Sequence, residues 1–109
     1  MDISIDSIRE TVSVWAISYP EIVQIILFGS QARGDSKPNS DIDLAFILEA
    51  VSGESAYTRY CFERHKWKRE LESILGLSIS MVRKTHNGKP DIQENIERDG
   101  IVIYEKSFA

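Results

Sequence analysis

Apolar residues near the start of the chain recur with the spacing of a helix. The residues that share this spacing are Ile8, Val12, Trp15 and Tyr19. Separations of four, three and four positions place these side chains on one face of an α-helix. The pattern predicts a helix over residues 6–18. Asp6 or Ser7 is expected to cap its start, and Pro20 stops it.

Four short apolar runs have the length and composition of β-strands. The first covers residues 22–28, is rich in β-branched side chains and ends at Gly29. The second covers residues 40–48, and the others cover residues 77–82 and 101–104. Alternation along the second strand puts Ile42, Leu44 and Phe46 on one face and Asp41, Asp43, Ala45 and Ile47 on the other.

A long amphipathic helix is predicted between the second and third strands. Its stripe is formed by Tyr57, Tyr60, Cys61, Arg64, Trp67, Leu71, Ile74 and Leu75, and Gly76 ends it. A buried thiol is expected at Cys61, and Trp67 and Trp15 are expected in the core or an interface. A further helix is predicted over residues 91–98. Strands separated by helices imply an α/β domain with a small mixed sheet of about four strands, flanked by helices.

Composition narrows the class of protein. Hydrophobic residues make up 42% of the 109 residues and charged residues 28%, which is typical of a soluble, folded domain. Residues 1–109 are therefore expected to form one domain, without a separate substrate-binding domain. The net charge of −4 disfavours general DNA or RNA binding. No run approaches the roughly 18 apolar residues of a membrane span, so a cytoplasmic location without membrane insertion is expected.

Two polar features at strand ends carry the candidate chemistry. Asp41 and Asp43 project from one strand face with Cα atoms roughly 6.5 Å apart, so both carboxylates can reach one ion. A cation offsets their mutual repulsion, and Mg²⁺ is commonly held by two such ligands with waters and phosphates. Gly29 lets the backbone approach an anion, and Ser30 would offer it an N–H and a hydroxyl. Arg33 either adds a cation toward the phosphates or braces the loop.

Taken separately, these features are more often a strand-ending turn and a pair of solvated carboxylates. Their combination, in contrast, is typical of one superfamily of enzymes. In this order and spacing, Gly29-Ser30, Arg33-Gly34 and Ser40-Asp41-Ile42-Asp43-Leu44 resemble the signature of the DNA polymerase β-like nucleotidyltransferase superfamily. The chain looks most like the minimal nucleotidyltransferases, and residues 95–104 are similar to that family's closing helix and strand.

The resemblance implies a polymerase β-like nucleotidyltransferase fold and a role for each motif. Gly29 and Ser30 would hold the phosphates of the nucleotide, and Asp41 and Asp43 would be catalytic ligands of one or two Mg²⁺ ions. The family's reaction moves a nucleoside monophosphate from a triphosphate, here expected to be ATP, onto a hydroxyl and releases pyrophosphate. Such catalysis depends on positioning and on neutralising charge at the attacking and leaving oxygens.

The family's third carboxylate is missing at its expected position. The pattern apolar, Asp, apolar, apolar matches Ile79-Ser80-Met81-Val82, so Ser80 occupies the place of the aspartate. A hydroxyl is not an acceptor for the nucleophile's proton, a role worth roughly 10²–10⁴-fold in rate. The conceivable replacements Glu49, Glu54 and Asp91 are each more simply explained as solvated charges, and His65 and His86 are weak metal-ligand candidates.

Three functions are compatible with these residues. The resemblance favours the antitoxin of a toxin–antitoxin pair, which adenylylates a hydroxyl of a HEPN-type RNase toxin or neutralises the toxin by binding it. Alternatively, Ser80 marks a module that retains nucleotide or partner binding but has lost turnover. Transfer to a small molecule is a further alternative, disfavoured by the missing substrate domain. Pairing of the strand over residues 101–104 would permit a homo-oligomer.

Overall fold

In a computed structural model of the protein, the structure describes residues 4–34, 41–49, 55–83 and 100–106. Its elements are α1 (Ile5–Ala16), β1 (Ile22–Phe28), α2 (Ser30–Arg33), β2 (Ile42–Leu48), α3 (Ala56–Leu75), β3 (Ile79–Arg83) and β4 (Ile101–Glu105). The alternation of strands and helices confirms the predicted α/β class. The helix predicted over residues 91–98 lies outside the described part of the chain. No described helix is long and apolar enough to cross a bilayer.

The four described strands form one sheet in the order β3-β2-β1-β4. β1 pairs antiparallel with β2 and with β4, whereas β2 pairs parallel with β3. The sheet is therefore mixed, as predicted. A parallel pair needs a crossover connection, and the 20-residue helix α3 lies within the connection from β2 to β3. This arrangement leaves β2 between β1 and β3.

The two faces of β2 pack into different apolar clusters. Ile42, Leu44 and Phe46 are fully buried in the main core, which lies between the sheet and helices α1 and α3. Ala45 belongs to a second, smaller apolar cluster with Ile26. The predicted alternation along this strand is therefore confirmed. It places Asp43 on the same face as Ala45, since side chains two positions apart share a face.

The centre of the main core is aromatic. Trp67 of α3 is fully buried and stacks on Phe46 with ring centroids 6.0 Å apart. Trp15 and Tyr19 also contact Trp67, and both donate hydrogen bonds to the Glu70 carboxylate, at 2.9 and 2.5 Å. These bonds lower the pKa of Glu70, while burial and the Glu70 contact raise the pKa of Tyr19 to about 12. The predicted core position of Trp67 is confirmed.

The start of α1 differs from the prediction. Ser4 is the N-cap, and its side-chain oxygen accepts a hydrogen bond from the Ser7 N–H at 3.1 Å. Asp6 therefore lies within the first turn, and the prediction of Asp6 or Ser7 as the cap was wrong. All three residue types satisfy the local capping rule. The helix begins earlier because Ile5 packs against the core. This contact is between distant parts of the chain, so a rule based on local sequence does not include it.

The predicted stripe of α3 was too wide. Tyr60 and Trp67 are buried, but Cys61 is exposed, so the prediction of a buried thiol was wrong. Each residue turns a helix by about 100°, which carries Cys61 away from the face that Tyr60 presents to the core. Tyr57 and Ile74 at the margins of the stripe are 63% and 51% exposed. The predicted end of the helix at Gly76 is confirmed.

Candidate active site

A tight turn at Gly29 joins β1 to the short helix α2. Gly29 has a φ of 75° and a ψ of −153°, a backbone conformation that residues with a Cβ rarely adopt. Its carbonyl accepts a hydrogen bond from the Arg33 N–H at 3.1 Å, which closes the helical turn, and Gly34 ends it with a φ of 80°. Ser30 is the first residue of α2. The chain therefore passes from β1 directly into one helical turn.

Asp43 of β2 packs directly against this turn. The antiparallel register pairs Asp43 with Phe28, the last residue before Gly29. A Cβ placed on Gly29 would lie 3.0 Å from the Asp43 Cγ and closer still to its Oδ2. The carboxylate therefore occupies the space that any other residue at position 29 would fill. Gly29 is required for this contact as well as for its backbone conformation.

The substitution Gly29→Ala is expected to lower the free energy of unfolding by more than Gly34→Ala does. Both changes put a Cβ on a backbone of positive φ. The αL conformation at Gly34 costs such a residue about 1–2 kcal/mol, whereas the φ of 75° and ψ of −153° at Gly29 belong to a region essentially restricted to glycine. The new Cβ also meets another group only at Gly29, because nothing lies within 4 Å of the corresponding position at Gly34. Urea denaturation of the two variants provides the comparison. Equal losses would contradict both the restricted backbone and the Asp43 contact at Gly29.

A second carboxylate and a hydroxyl also influence the pKa of Asp43. Burial raises the pKa of Asp43, and the nearby charge of Asp41 raises it further. A hydrogen bond from the Ser80 hydroxyl and the charge of Arg33 oppose this rise in pKa. The Ser80 contact follows from the parallel register, which pairs Ser80 with Asp43. A half-buried carboxylate beside a like charge is the arrangement that a bound cation stabilises.

Asp41 lies just before β2 and is exposed in a cleft between α3 and β3. The cleft has a volume of about 370 Å³. Its described lining residues are Asp41, Tyr60, Arg64, His65, Lys68, Ile79, Ser80 and Met81. Asp41 and Ser80 therefore share this cleft with residues of α3.

The α3 residues of this cleft were not anticipated as part of the site. His65 was expected to be only a weak metal-ligand candidate, and its side chain is exposed on α3. The structure nevertheless places it at the cleft, together with Arg64 and Lys68. The available signal was the spacing of four between Tyr60, Arg64 and Lys68. Residues four positions apart lie on the same side of a helix, so Arg64 and Lys68 follow the buried Tyr60 along one edge of α3.

Of the candidate replacements for the third carboxylate, Glu49 is within the described residues and lies away from the site. Glu49 follows the far end of β2, about 20 Å along the strand from Asp43, and accepts a hydrogen bond from the Lys106 Nζ at 2.6 Å. It is an ion-paired residue remote from the cleft. Glu54, His86 and Asp91, like Ser40, lie outside the described residues. Within the described ranges, no group of three His, Cys, Asp or Glu side chains is placed to hold a metal ion.

Comparison with known proteins agrees with the motifs. The sequence profile of the family described as polymerase beta, nucleotidyltransferase matches residues 10–109. A protein of Methanocaldococcus jannaschii, named as a candidate protein adenylyltransferase, is 32% identical over 83 residues, which is 76% of this chain and 78% of the relative.

Solved structures with the same fold come from toxin–antitoxin complexes. One, crystallised with AMP-PNP, superposes with a TM-score of 0.68 over 92% of this chain and 74% of the other, at 19% identity. Another, of a tri-AMPylated Shewanella oneidensis HEPN toxin with its MNT antitoxin, gives a TM-score of 0.61 over 94% and 74% of the two chains, at 16% identity. These likenesses establish the fold. The family profile, which spans residues 10–109, shows that the chain belongs to the polymerase β nucleotidyltransferase family.

Proposed function

We propose that the protein transfers AMP from ATP to a hydroxyl group of a HEPN-type toxin and thereby acts as its antitoxin. The observation that carries the proposal is the packing of Asp43 against the Gly29 turn with Asp41 beside it. The name of the M. jannaschii relative and the fold shared with toxin–antitoxin complexes support a protein acceptor. ATP and an RNase toxin meet in the cytoplasm, where we expect the protein to act.

The site residues fit a nucleotide and Mg²⁺. Gly29 and Ser30 would bind the phosphates of ATP, since the turn exposes backbone N–H groups and the Ser30 hydroxyl there. Asp41 and Asp43 would hold Mg²⁺, which, when bound, neutralises the negative charge of the phosphates. Arg33 lies close enough to lower the pKa of Asp43, so its cation belongs to the same site.

The transfer step fixes where the acceptor enters. The acceptor oxygen forms a bond to the α-phosphorus, the bond from phosphorus to the pyrophosphate oxygen breaks, and the hydroxyl proton passes to solvent. Attacking and leaving oxygens lie roughly in line, on opposite sides of the phosphorus. With pyrophosphate at the Gly29 turn, on the β1 side of β2, the acceptor approaches from the β3 side. Ser80 lies on that side, paired with Asp43 in the parallel register.

A second function is favoured by Ser80 itself. A neutral hydroxyl stands beside Asp43 where the family has a carboxylate, so no proton acceptor is provided there. The protein would then bind the nucleotide and the toxin without turnover. Mass spectrometry of a HEPN-type toxin incubated with the protein, ATP and Mg²⁺ separates the two functions. A mass increase of one AMP supports transfer, whereas unmodified toxin held in a stable complex supports binding alone.

Replacing both Asp41 and Asp43 by alanine is expected to abolish Mg²⁺-dependent ATP binding. The two carboxylates are the proposed metal ligands, and without the metal the phosphates lose their main counter-charge. Isothermal titration calorimetry with and without EDTA measures the effect. Asp6→Ala, which removes an exposed aspartate that pairs with Arg9, is the control and should bind like the wild type. ATP binding that survives both the double substitution and EDTA would refute the proposed site.

A further inference from the structure

The cleft between α3 and β3 is lined by two cations that form no ion pair with any residue the structure describes. Arg64 and Lys68 lie one helical turn apart on α3, both exposed, and line the cleft. Within the described residues neither forms a salt bridge. Arg59 and Lys66 on the same helix instead pair with Glu63. Two cations retained at one edge of a helix, in a protein of net charge −4, indicate a site for an anion.

The position of these cations relates them to the acceptor. Asp41 and Ser80 line the same cleft, so it contains one proposed metal ligand and the residue paired with the other, Asp43. The strand order places the cleft on the β3 side of β2, away from the Gly29 turn. If the proposed function holds, the acceptor hydroxyl enters from this side. The cations then lie where the atoms around that hydroxyl must sit.

We infer that Arg64 and Lys68 bind an anionic group next to the acceptor hydroxyl, so the protein selects acceptors that carry one. This inference rests on the proposed function. A guanidinium forms two parallel hydrogen bonds with either a carboxylate or a phosphate, and the Lys68 ammonium adds a second charge. The anion is therefore an acidic side chain flanking the hydroxyl or the phosphate of a nucleotide already attached nearby. His65 adds a third polar group to the same wall.

Binding of labelled peptides tests the inference, with tyrosine chosen as the hydroxyl-bearing residue. The acceptor peptide carries glutamate on both sides of this tyrosine, its matched control carries glutamine, and a third peptide is the glutamine version with AMP on the tyrosine. Fluorescence anisotropy is measured with Mg²⁺ and α,β-methylene-ATP, which cannot transfer AMP. We expect the glutamate or the AMP peptide to bind roughly 10- to 100-fold more tightly than the glutamine peptide. The better of the two identifies the source of the anion.

The variant Arg64→Gln with Lys68→Gln is expected to abolish this preference. Its matched control is Lys66→Gln with Arg69→Gln, which makes the same change in net charge on the same helix but in a separate depression beside Trp15. The control should keep the preference. Neither double variant should alter the affinity for α,β-methylene-ATP.

Four outcomes would overturn the inference. The first is that the wild type shows no preference among the peptides, and the second is that both double variants lose the preference equally. The third is that the Arg64/Lys68 variant retains the preference. The fourth is that the Arg64/Lys68 variant loses affinity for the ATP analogue. The last result would mean that the cleft binds the triphosphate. Failure of the proposed function looks different, because the wild type itself would then bind no ATP analogue in the presence of Mg²⁺.

Discussion

Replacing Ser80 with aspartate is expected to raise the rate of AMP transfer by roughly 10²–10⁴-fold. Ser80 is paired with Asp43 in the parallel register and already hydrogen-bonds to it, so a carboxylate there would join the face that holds the proposed ligands. It would accept the proton of the attacking hydroxyl and add an oxygen ligand for Mg²⁺. The neutral hydroxyl of the wild-type serine supplies no such base.

The measurement is a single-turnover rate with a HEPN-type toxin, ATP and Mg²⁺. Ser80→Asn is the matched control, since asparagine has nearly the shape of aspartate but accepts no proton at neutral pH. It should show no gain. Without metal, Ser80→Asp should also lower the free energy of unfolding, because it brings a further negative charge beside Asp43. A wild-type rate equal to that of Ser80→Asp would show that another group supplies the base.

Trp67→Ala is expected to lower the free energy of unfolding by about 3–5 kcal/mol. The side chain is fully buried and contacts Phe46 of the sheet. It also contacts Trp15 of α1 and Tyr19, which follows the end of that helix. Its removal leaves a cavity at the point where α3 meets both. Domains of this size have a total stability of about 5–15 kcal/mol, so the variant should be close to unfolded at 37 °C.

Chemical denaturation followed by circular dichroism measures this loss. Trp67→Phe should cost much less, since a phenyl ring keeps most of the packing and the Trp67 Nε1 is buried without a hydrogen-bond partner among the described residues. Tyr57→Ala, at a position 63% exposed on the same helix, serves as the control and should have little effect. A small loss for Trp67→Ala would place the centre of the core elsewhere.

The elements themselves were well predicted where the local pattern was strong. β1 spans the predicted residues 22–28, because a run of β-branched side chains between a proline and a glycine leaves little choice of structure. The alternation along β2 likewise assigned Asp43 to the face opposite the main core. Both patterns involve residues within one strand, so no knowledge of neighbouring elements was needed.

Predictions failed where several residues satisfied the same local rule. Ser4, Asp6 and Ser7 can all cap a helix, and packing of the first turn selected Ser4. Cys61 is next to the buried Tyr60, and a rotation of one residue was enough to expose it. Sequence periodicity locates a helical face only to within about one residue at its margins. Contacts with the sheet decide which residues at the edge of that face are buried.

Local patterns were thus sufficient to locate the four described strands and the helices α1 and α3, and to single out Gly29, Asp41 and Asp43. The tertiary structure decided how these residues meet. It set the strand order, put the Asp43 carboxylate in the space above Gly29, brought Ser80 beside Asp43 and turned Arg64 toward the same cleft. These contacts join residues far apart in the chain. Their formation depends on packing the whole core, which no short segment encodes.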